Sequence, residues 1–252
     1  MKTKNIILAI IVIALVIILE IIVMGYYQKT IENVKNPIVT MEIEGYGTVK
    51  MELYPDQAPN TVANFIDLIS NNYYDGLIFH RVMADMLIQG GDIEGTGSGK
   101  IDFAIKGEFM ANNFRTNTIR HEEGTVSMAR GDYSAYGLTA EGYNSAGSQF
   151  FICVNTFKGW DGMYAAFGKV IEGIDIVKAI SKVPTMFDEE GNNTEMPKDE
   201  VVIKSMTVDT FGVKYKKPER NEPFDINEWY NNWLMDQYYA DYDWNSIMIP
   251  ED

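Results

Sequence analysis

The sequence contains a single cysteine and little positive charge. One thiol, Cys153, among 252 residues excludes a framework of disulfides and a metal site built from several thiolates. The formal net charge is −15 at pH 7, whereas proteins that bind nucleic acid neutralise its phosphates with clustered Lys and Arg. We therefore expect no nucleic acid among the partners of this chain.

Histidine is scarce as well. The two histidines, His80 and His121, lack the neighbouring Ser, Cys or carboxylate pattern of a hydrolase. We expect His80 to be a structural residue with its hydrogen bonds satisfied, and His121 to lie in a loop. The glycine-rich run 95–100 resembles a phosphate-binding loop, but Ile101 stands where that motif requires Ser or Thr. The acidic residues 188–190 lack the spacing of calcium ligands, so the sequence predicts neither a metal nor a cofactor.

A long apolar run lies near the N-terminus. Residues 6–24 are apolar apart from Glu20 and follow two lysines, and their number approaches the roughly 20 residues that cross a bilayer as a helix. A cleaved signal peptide would have a shorter apolar region and an A-x-A-like site, which this segment does not have. We expect residues 1–30 to be an uncleaved transmembrane signal-anchor, with the remainder outside the cytoplasm because lysines stay inside. The alternative is secretion after signal cleavage.

A polar linker, residues 31–36, leads into a strand pattern. Apolar residues alternate with polar ones at 39–43 and again at 49–53, and the glycines of the Gly45-Tyr46-Gly47 segment between them favour a turn. Alternation with period two indicates strands that bury one face. The sequence therefore predicts a β-hairpin at the start of the folded domain.

Two helices and further strands follow the hairpin. Apolar residues at helical spacing after Asn60-Thr61 predict a helix, and residues 174–180 predict a second one. Short strands separated by glycine fill most of the interval between 77 and 169, and residues 201–208 have the pattern of a closing strand. Many strands with a helix near each end fit an antiparallel barrel capped by helices.

Three segments carry a specific pattern. Phe79-His80-Arg81-Val82 runs on to Gln89-Gly90-Gly91-Asp92, and it is followed by Gly124-Thr125-Val126-Ser127-Met128-Ala129-Arg130 and Asn144-Ser145-Ala146-Gly147-Ser148-Gln149-Phe150-Phe151-Ile152. In this order they resemble the core of the cyclophilin family of peptidyl-prolyl cis-trans isomerases. The resemblance covers about residues 37–213. It implies a mainly β fold, a closed eight-stranded antiparallel barrel capped by two α-helices, and an isomerase that binds proline-containing segments.

The resemblance also implies catalytic residues. Rotation about the bond before proline faces a barrier of about 20 kcal/mol, because the amide nitrogen shares its lone pair with the carbonyl. A donor pointed at that nitrogen localises the lone pair, and arginine is always charged and carries a rigid fork of donors. The family has this arginine directly after Phe-His, which is Arg81 here, and a glutamine that bonds it, which is Gln89.

A small apolar pocket for the proline ring is the second requirement. The resemblance assigns the pocket and the adjoining peptide-binding surface to Met86, Leu87, Ala129, Arg130, Gln149, Phe151 and Tyr164. Met86 replaces a phenylalanine of the family, Tyr164 replaces a histidine, and Trp160 occupies a leucine position. We expect these changes to alter substrate preference and to weaken sensitivity to cyclosporin, without abolishing activity.

Three segments are additions to the family pattern: a lengthened loop at 131–143, an acidic loop at 185–199, and an acidic, aromatic tail at 214–252. Trp229, Tyr230 and Trp233 can share one face of a short tail helix that packs on the barrel or on a partner. Two functions follow. One is an isomerase that assists the folding of exported proteins, and the alternative is a catalytically weak binding module or holdase chaperone that uses the tail.

Overall fold

The computed structural model describes residues 12–23, 35–99 and 101–240. Ten β-strands lie in this part of the chain, and eight of them form one antiparallel sheet in the order β10-β1-β2-β7-β5-β6-β4-β3. The strands are β1 (Ile38–Ile43), β2 (Gly47–Leu53), β3 (Arg81–Met83), β4 (Leu87–Gly90), β5 (Thr125–Met128), β6 (Phe150–Cys153), β7 (Ala166–Glu172), β8 (Thr185–Phe187), β9 (Asn193–Pro197) and β10 (Ile203–Asp209). The predicted mainly β fold, its first hairpin and its eight-stranded sheet are confirmed.

The predicted closed barrel is only partly right. β10 and β3 are the end strands of the curled sheet, which is a half-barrel. Its two edges meet just before β3 and at the start of β10: the N–H of Phe79 donates to the carbonyl of Val201, and the N–H of Ile203 donates to the carbonyl of Leu77. A bridge between Ile78 and Val202 lies between these two bonds. Closure therefore depends on a short contact rather than on a ladder between two full strands.

Besides the helical residues 12–23, the described part of the chain contains four α-helices: α1 (Pro59–Ser70), α2 (Thr139–Tyr143), α3 (Ile174–Ile180) and α4 (Ile226–Ala240). The two helices predicted within the barrel domain are confirmed as α1 and α3. Proline at the first helical position favours the start of α1. The buried carboxylate of Glu108 accepts the N–H groups of Asn60 and Thr61 at 3.0 and 2.8 Å, and so satisfies donors that would otherwise lack partners.

The core joins α1, α3 and one face of the sheet, and a group of aromatic rings lies within it. Phe65 of α1 contacts Phe150 of β6 edge to face, with ring centroids 5.4 Å apart, and also contacts Tyr74 and Phe167. All four rings are fully buried. Because successive residues of a strand point to opposite faces, Phe150 in this core directs the neighbouring Phe151 to the other side of the sheet.

The prediction of an acidic loop at 185–199 is wrong, because β8 and β9 form a separate hairpin there. Its turn is built by Asp188, whose side chain accepts the N–H groups of Glu190 and Asn192 at 3.0 and 2.7 Å. Aspartate favours turns because its short side chain bonds backbone N–H groups nearby in sequence. The loop at 131–143 is also ordered, with a 3-10 turn at Ser134–Tyr136 and the short helix α2.

The start of the tail packs on the barrel domain. Asn221 pairs with Ala104 through two backbone hydrogen bonds of 2.8 Å. Asp225 then accepts the N–H groups of Asn227 and Glu228 and begins α4. Trp229 and Tyr230 contact Tyr136 of the 131–143 loop, each with ring centroids 6.0 Å apart. Residues 241–252 lie outside the described residues.

The N-terminal predictions fall largely outside the described residues. Residues 12–23 are helical and exposed, and the remainder of the predicted anchor 1–30 and most of the linker 31–36 are not described. Within the described stretches, no helix reaches the length and apolarity that crossing a membrane requires.

Candidate functional site

Arg81 and Gln89 face each other across the β3–β4 ladder, where they are register partners. The Nη1 of Arg81 donates to Oε1 of Gln89 at 3.3 Å, and Nη2 lies 3.2 Å from the sulfur of Met83. The amide of Gln89 in turn donates to Oε1 of Gln149 at 3.0 Å. The predicted arginine and glutamine are therefore adjacent, and the same chain of hydrogen bonds includes Gln149.

Glu195 of β9 completes the surroundings of Arg81 and was not found from the sequence. Its Oε2 accepts the Nε–H of Arg81 at 2.5 Å, with 41% of the arginine side chain and 31% of the glutamate side chain exposed. The two residues are 114 positions apart, on an ordered hairpin where the sequence predicted a loop. No local signal indicates such a partner.

An apolar cluster lies on the face of the sheet opposite the core. Leu87 of β4, Phe151 of β6 and Cys153 are its buried members, and Tyr164 and Ala129 pack against them. The ring of Phe151 meets that of Tyr164 edge to face at 5.6 Å. Period two explains the placement, because Ile88 and Phe150, the chain neighbours of Leu87 and Phe151, belong to the main core.

Two further side chains belong to this cluster. Trp160 packs against Phe151 with ring centroids 5.5 Å apart, so the tryptophan in the family's leucine position contributes a large ring to the site. Met83 packs against the same cluster, whereas Met86 lies at the end of the β3–β4 turn and is partly buried. The assignment of Met86 to the pocket stays a prediction, and Met83 was missed because periodicity alone does not separate it from core residues.

Ala129 and Arg130 were predicted to bind the substrate chain, but their hydrogen-bond donors contact other residues of the protein. The N–H of Ala129 donates to the carbonyl of Gln149 at 2.9 Å, so that donor is not open to a substrate. The guanidinium of Arg130 donates to the carbonyls of Met163 and Gly131 and lies 4.6 Å from the centre of the Tyr164 ring. Arg130 therefore fixes the position of Tyr164, and its charge is balanced by carbonyl oxygens and aromatic faces.

His121 lies in a loop, as predicted, but its side chain is buried in the interior. Its Nε2 is 3.1 Å from Oγ of Ser127, its Nδ1 is 3.4 Å from a carboxylate oxygen of Asp161, and its ring stacks on Phe151. This serine–histidine–aspartate arrangement was not apparent from the sequence. It is not a hydrolase site, because Ser127 is 0% exposed and cannot meet a substrate. Burial lowers the pKa of His121 despite the opposing effect of Asp161, which favours a neutral ring.

His80 is buried, but the expected hydrogen bonds are absent: both of its ring nitrogens lack a partner among the described residues. Burial lowers the pKa of His80, Asp92 opposes that shift, and the charge of Arg81 adds to it. The neutral imidazole is thus the form compatible with this position.

The described part of the glycine-rich run, residues 95–99, binds a carboxylate through its N–H groups, so these groups are not free to hold a phosphate. Oδ2 of Asp92 accepts the N–H groups of Thr96, Gly97 and Gly99 at 3.0, 2.6 and 3.1 Å. Burial alone would raise the pKa of Asp92, but these bonds and one from Glu94 lower it. A Cβ at Gly99 would lie 1.8 Å from Oδ1 of Asp92, which explains the requirement for glycine at that position.

The thiol of Cys153 is unreactive. Burial, with a smaller contribution from Asp161, raises the pKa of its thiol to about 12, and the thiolate is the reactive form. Among the described residues, no group of three or more His, Cys, Asp or Glu side chains is placed to hold a metal ion.

Comparison with known proteins gives one consistent result. Residues 38–208 match the family model described as cyclophilin type peptidyl-prolyl cis-trans isomerase. A peptidyl-prolyl cis-trans isomerase of Acinetobacter baylyi is 38% identical over 193 residues, which are 74% of this chain and 93% of that protein. The peptidyl-prolyl cis-trans isomerase-like 2 of Rhizopus delemar is 33% identical over 194 residues, which are 76% of this chain but only 33% of that longer protein.

A solved structure agrees with the sequence comparisons. The cyclophilin type isomerase of Cryptosporidium parvum superposes with a TM-score of 0.57 and 29% identity, covering 69% of this chain and 98% of that one. The same protein was also solved in the presence of the dipeptide Ala-Pro.

Proposed function

Because this chain belongs to the cyclophilin-type peptidyl-prolyl cis-trans isomerase family, we propose that it catalyses rotation about X-Pro bonds with Arg81 as the catalytic residue. The predicted class of enzyme, an isomerase, is confirmed by that membership. The observation that carries the proposal is the guanidinium of Arg81, bonded to Gln89 and Glu195, on the same face of the sheet as the apolar cluster of Leu87, Phe151 and Tyr164.

The hydrogen bonds of Arg81 leave donors for a substrate. Guanidinium has five N–H donors, and Glu195, Gln89 and the sulfur of Met83 engage three of them. Two donors therefore remain, one on each Nη. A donor directed at the prolyl nitrogen stabilises the twisted amide, in which the lone pair is localised, more than either planar ground state.

The apolar cluster supplies the second part of the mechanism. Leu87 and Phe151, with Tyr164, Trp160 and Met83 beside them, form a surface that can hold a pyrrolidine ring while the preceding carbonyl rotates. Gln89 is the predicted partner of both Arg81 and the substrate backbone, and its bond to Gln149 fixes its amide. No covalent bond forms or breaks, and no cofactor is required.

Replacement of Arg81 tests this mechanism. We expect Arg81→Ala to lower kcat/KM by about 100-fold, the size of effect seen when a donor aimed at a transition state is removed. Arg81→Lys should not restore activity, because an ammonium lacks the planar fork. The measurement is the rate at which the protein accelerates the proline-limited refolding phase of a small test protein. Equal acceleration by the wild type and Arg81→Ala would contradict the assignment.

We also propose that the enzyme acts outside the cytoplasm, attached to the membrane, on newly exported chains. The support is the apolar run 6–24 preceded by two lysines and the slow uncatalysed rate of proline isomerisation, which takes tens of seconds or longer. Fractionation of cells and protease treatment of intact spheroplasts test this. We expect a membrane-bound, protease-accessible protein that retains residue 1 or 2, and a soluble, protected protein would contradict this proposal.

A second candidate, a binding module or holdase, is favoured by the exposed apolar side chains of α4. Tyr230, Trp233, Leu234 and Met235 are 39–50% exposed, which is unusual for neighbouring residues of a soluble helix. Arg81→Ala distinguishes the candidates, because client binding by the tail would survive the substitution while turnover would not.

A further inference from the structure

A cavity of about 510 Å³ adjoins the site of Arg81. Gln89, Ala129 and Gln149 form part of its wall, and residues 223–227 of the tail form another part. Gln89 is thus shared, since it bonds Arg81 on one side and lines this cavity on the other. The cavity therefore shares Gln89 with the proposed catalytic site, and part of its wall comes from outside the region that matches the family.

The tail segment is fixed firmly in front of the cavity. Asn60 and Glu219 exchange two hydrogen bonds of 2.9 and 2.7 Å. Arg220 donates to Asn64 and pairs with Asp67 at 2.8 Å, and its guanidinium stacks on Phe103 at 3.8 Å from the ring centre. These contacts tie the chain to α1 immediately before residues 223–227, so the added wall has a defined position.

The cavity has an apolar part of its wall that suits an apolar side chain of a peptide. Ile101, Phe103, Tyr133, Phe224 and Ile226 belong to its lining, together with polar residues such as Ser98, Arg130 and Asn227. Tyr133 and Phe224 contact each other with ring centroids 5.8 Å apart, so the lengthened 131–143 loop and the tail meet at this wall. Gly97, Gly99, Gly131 and Gly147 also line it, and because glycine has no side chain these positions leave room for a bound backbone.

We propose that residues 223–227 complete a specificity pocket for the client, and that this pocket binds a large apolar or aromatic side chain near the target proline. The inference rests on the proposed function, because it takes the occupant to be the same peptide whose proline meets Arg81. Because Gln89 lines the cavity and also bonds Arg81, the peptide that meets Arg81 is favoured as the occupant over a second copy of the chain. The three additions thus contribute to one site: the hairpin through Glu195, and the loop and tail through the cavity wall.

Peptide preference tests the proposal. The full chain is assayed for turnover and, by NMR titration, for affinity with peptides that contain Ala-Pro and carry Phe, Leu, Ala or Glu at one flanking position at a time. We expect at least one position at which Phe or Leu is preferred over Ala by about tenfold, the effect of filling a hydrophobic pocket. In Phe224→Ala that ratio should fall to about threefold or less.

Two more variants separate loss of the pocket from loss of the fold. Asn231→Ala changes an exposed residue of α4 that does not line the cavity, and the preference should be unchanged. Arg220→Ala removes the anchor without altering the lining, and the preference should weaken as in Phe224→Ala. Each variant is checked for a native amide NMR spectrum.

The results that would overturn the pocket differ from those that would overturn the isomerase. An unchanged preference in Phe224→Ala and Arg220→Ala, or an equal rise in turnover of all peptides, would overturn the pocket while leaving the isomerase. Absence of turnover with every peptide would overturn the proposed function instead. In that case the affinities alone still decide whether residues 223–227 select an apolar side chain.

Discussion

At the scale of single residues, the decisive feature is how Arg81 is held. Its Nε–H is bonded to Glu195 and one Nη1–H to Gln89, so two partners from different elements fix the plane of the guanidinium. Both members of the ion pair are about a third or more exposed, and an exposed pair of this kind adds little to stability. We expect the ion pair with Glu195 to contribute to catalysis instead, by holding Arg81 in a fixed orientation.

Replacement of Glu195 tests that role. We expect Glu195→Ala to lower kcat/KM by up to about tenfold, because reacting groups that lose their orientation lose rate. Glu195→Gln should retain more activity, since its amide oxygen can still accept the Nε–H. The free energy of unfolding should change by less than about 1 kcal/mol in either variant. Peptide turnover and urea titration supply the two measurements.

Glu189→Gln is the matched control, because it removes a charge from the turn of the same hairpin and should leave turnover unchanged. A rise in turnover in Glu195→Ala would show that Glu195 competes with the substrate for Arg81, contrary to the expectation.

The two histidines give a prediction about pH. Burial lowers the pKa of both His80 and His121, so the folded state resists a proton that the unfolded chain accepts near the usual value of 6.5. The stabilisation is therefore fully present above pH 6.5 and is lost as pH falls through the lower pKa values of the folded state. Proton NMR of the imidazole rings should give midpoints below 6.5.

Urea unfolding provides the corresponding measurement of stability. The free energy of unfolding should be lower at pH 5.5 than at pH 7.5, and the decrease should be smaller in the double variant His80→Asn, His121→Asn. Ring midpoints at or above 6.5 in the folded protein would be incompatible with the buried neutral forms.

Sequence reasoning found the residues that lie in contiguous motifs and missed those that come from a distance. Arg81 and Gln89 were predicted because the family resemblance identifies them and one short hairpin carries both. Glu195 was not, because 114 residues separate it from its partner and no periodicity marks an ion pair. His121 and Ser127 are close in sequence, but their burial beside Asp161 depends on the closure of the whole sheet.

At the scale of elements, alternation along strands organises the site. In β4 and β6, neighbouring residues point to opposite faces of the sheet. Ile88 and Phe150 lie in the core, whereas Leu87 and Phe151 lie in the apolar cluster. Both residues of each pair are apolar, so the sequence of these strands shows a short apolar run without alternation. Only the family resemblance indicated which residue of each pair faces the site. The β8–β9 hairpin was missed because its apolar residues do not alternate with polar ones, and its strands have no regular buried face to give a period of two.

The loop that follows β4 yields a prediction at this scale. The carboxylate of Asp92 accepts four backbone N–H groups. In Asp92→Asn the charge is lost, and one of the two accepting oxygens is replaced by an NH₂ group that cannot accept these bonds. We expect a loss of about 2 kcal/mol in the free energy of unfolding. KM should also rise, because Gly97 of this loop accepts a hydrogen bond from Gln149.

Asp102→Asn changes an exposed aspartate just beyond the same loop and serves as the control in urea titration and peptide assays. If Asp92→Asn matched the wild type in both assays, the carboxylate would not be what holds the loop.

At the scale of the whole molecule, a barrel domain of the cyclophilin type is extended by additions that converge on one side. The hairpin reaches Arg81, and the tail and the 131–143 loop reach the cavity beside Gln89. The sequence predicted the additions as loops and a tail, since their mutual contacts are long-range. The acidic net charge of −15 fits clients that are peptides rather than nucleic acids.

The most direct test of the account is proline cis-trans exchange in an Ala-Pro peptide, followed by NMR exchange spectroscopy with catalytic amounts of the full chain and of Arg81→Ala. The account predicts faster exchange with the wild type and a rate close to the uncatalysed one with the variant, provided that both give native amide spectra. Acceleration that persists in Arg81→Ala would contradict the role of the arginine. No acceleration by the folded wild type would contradict the isomerase itself.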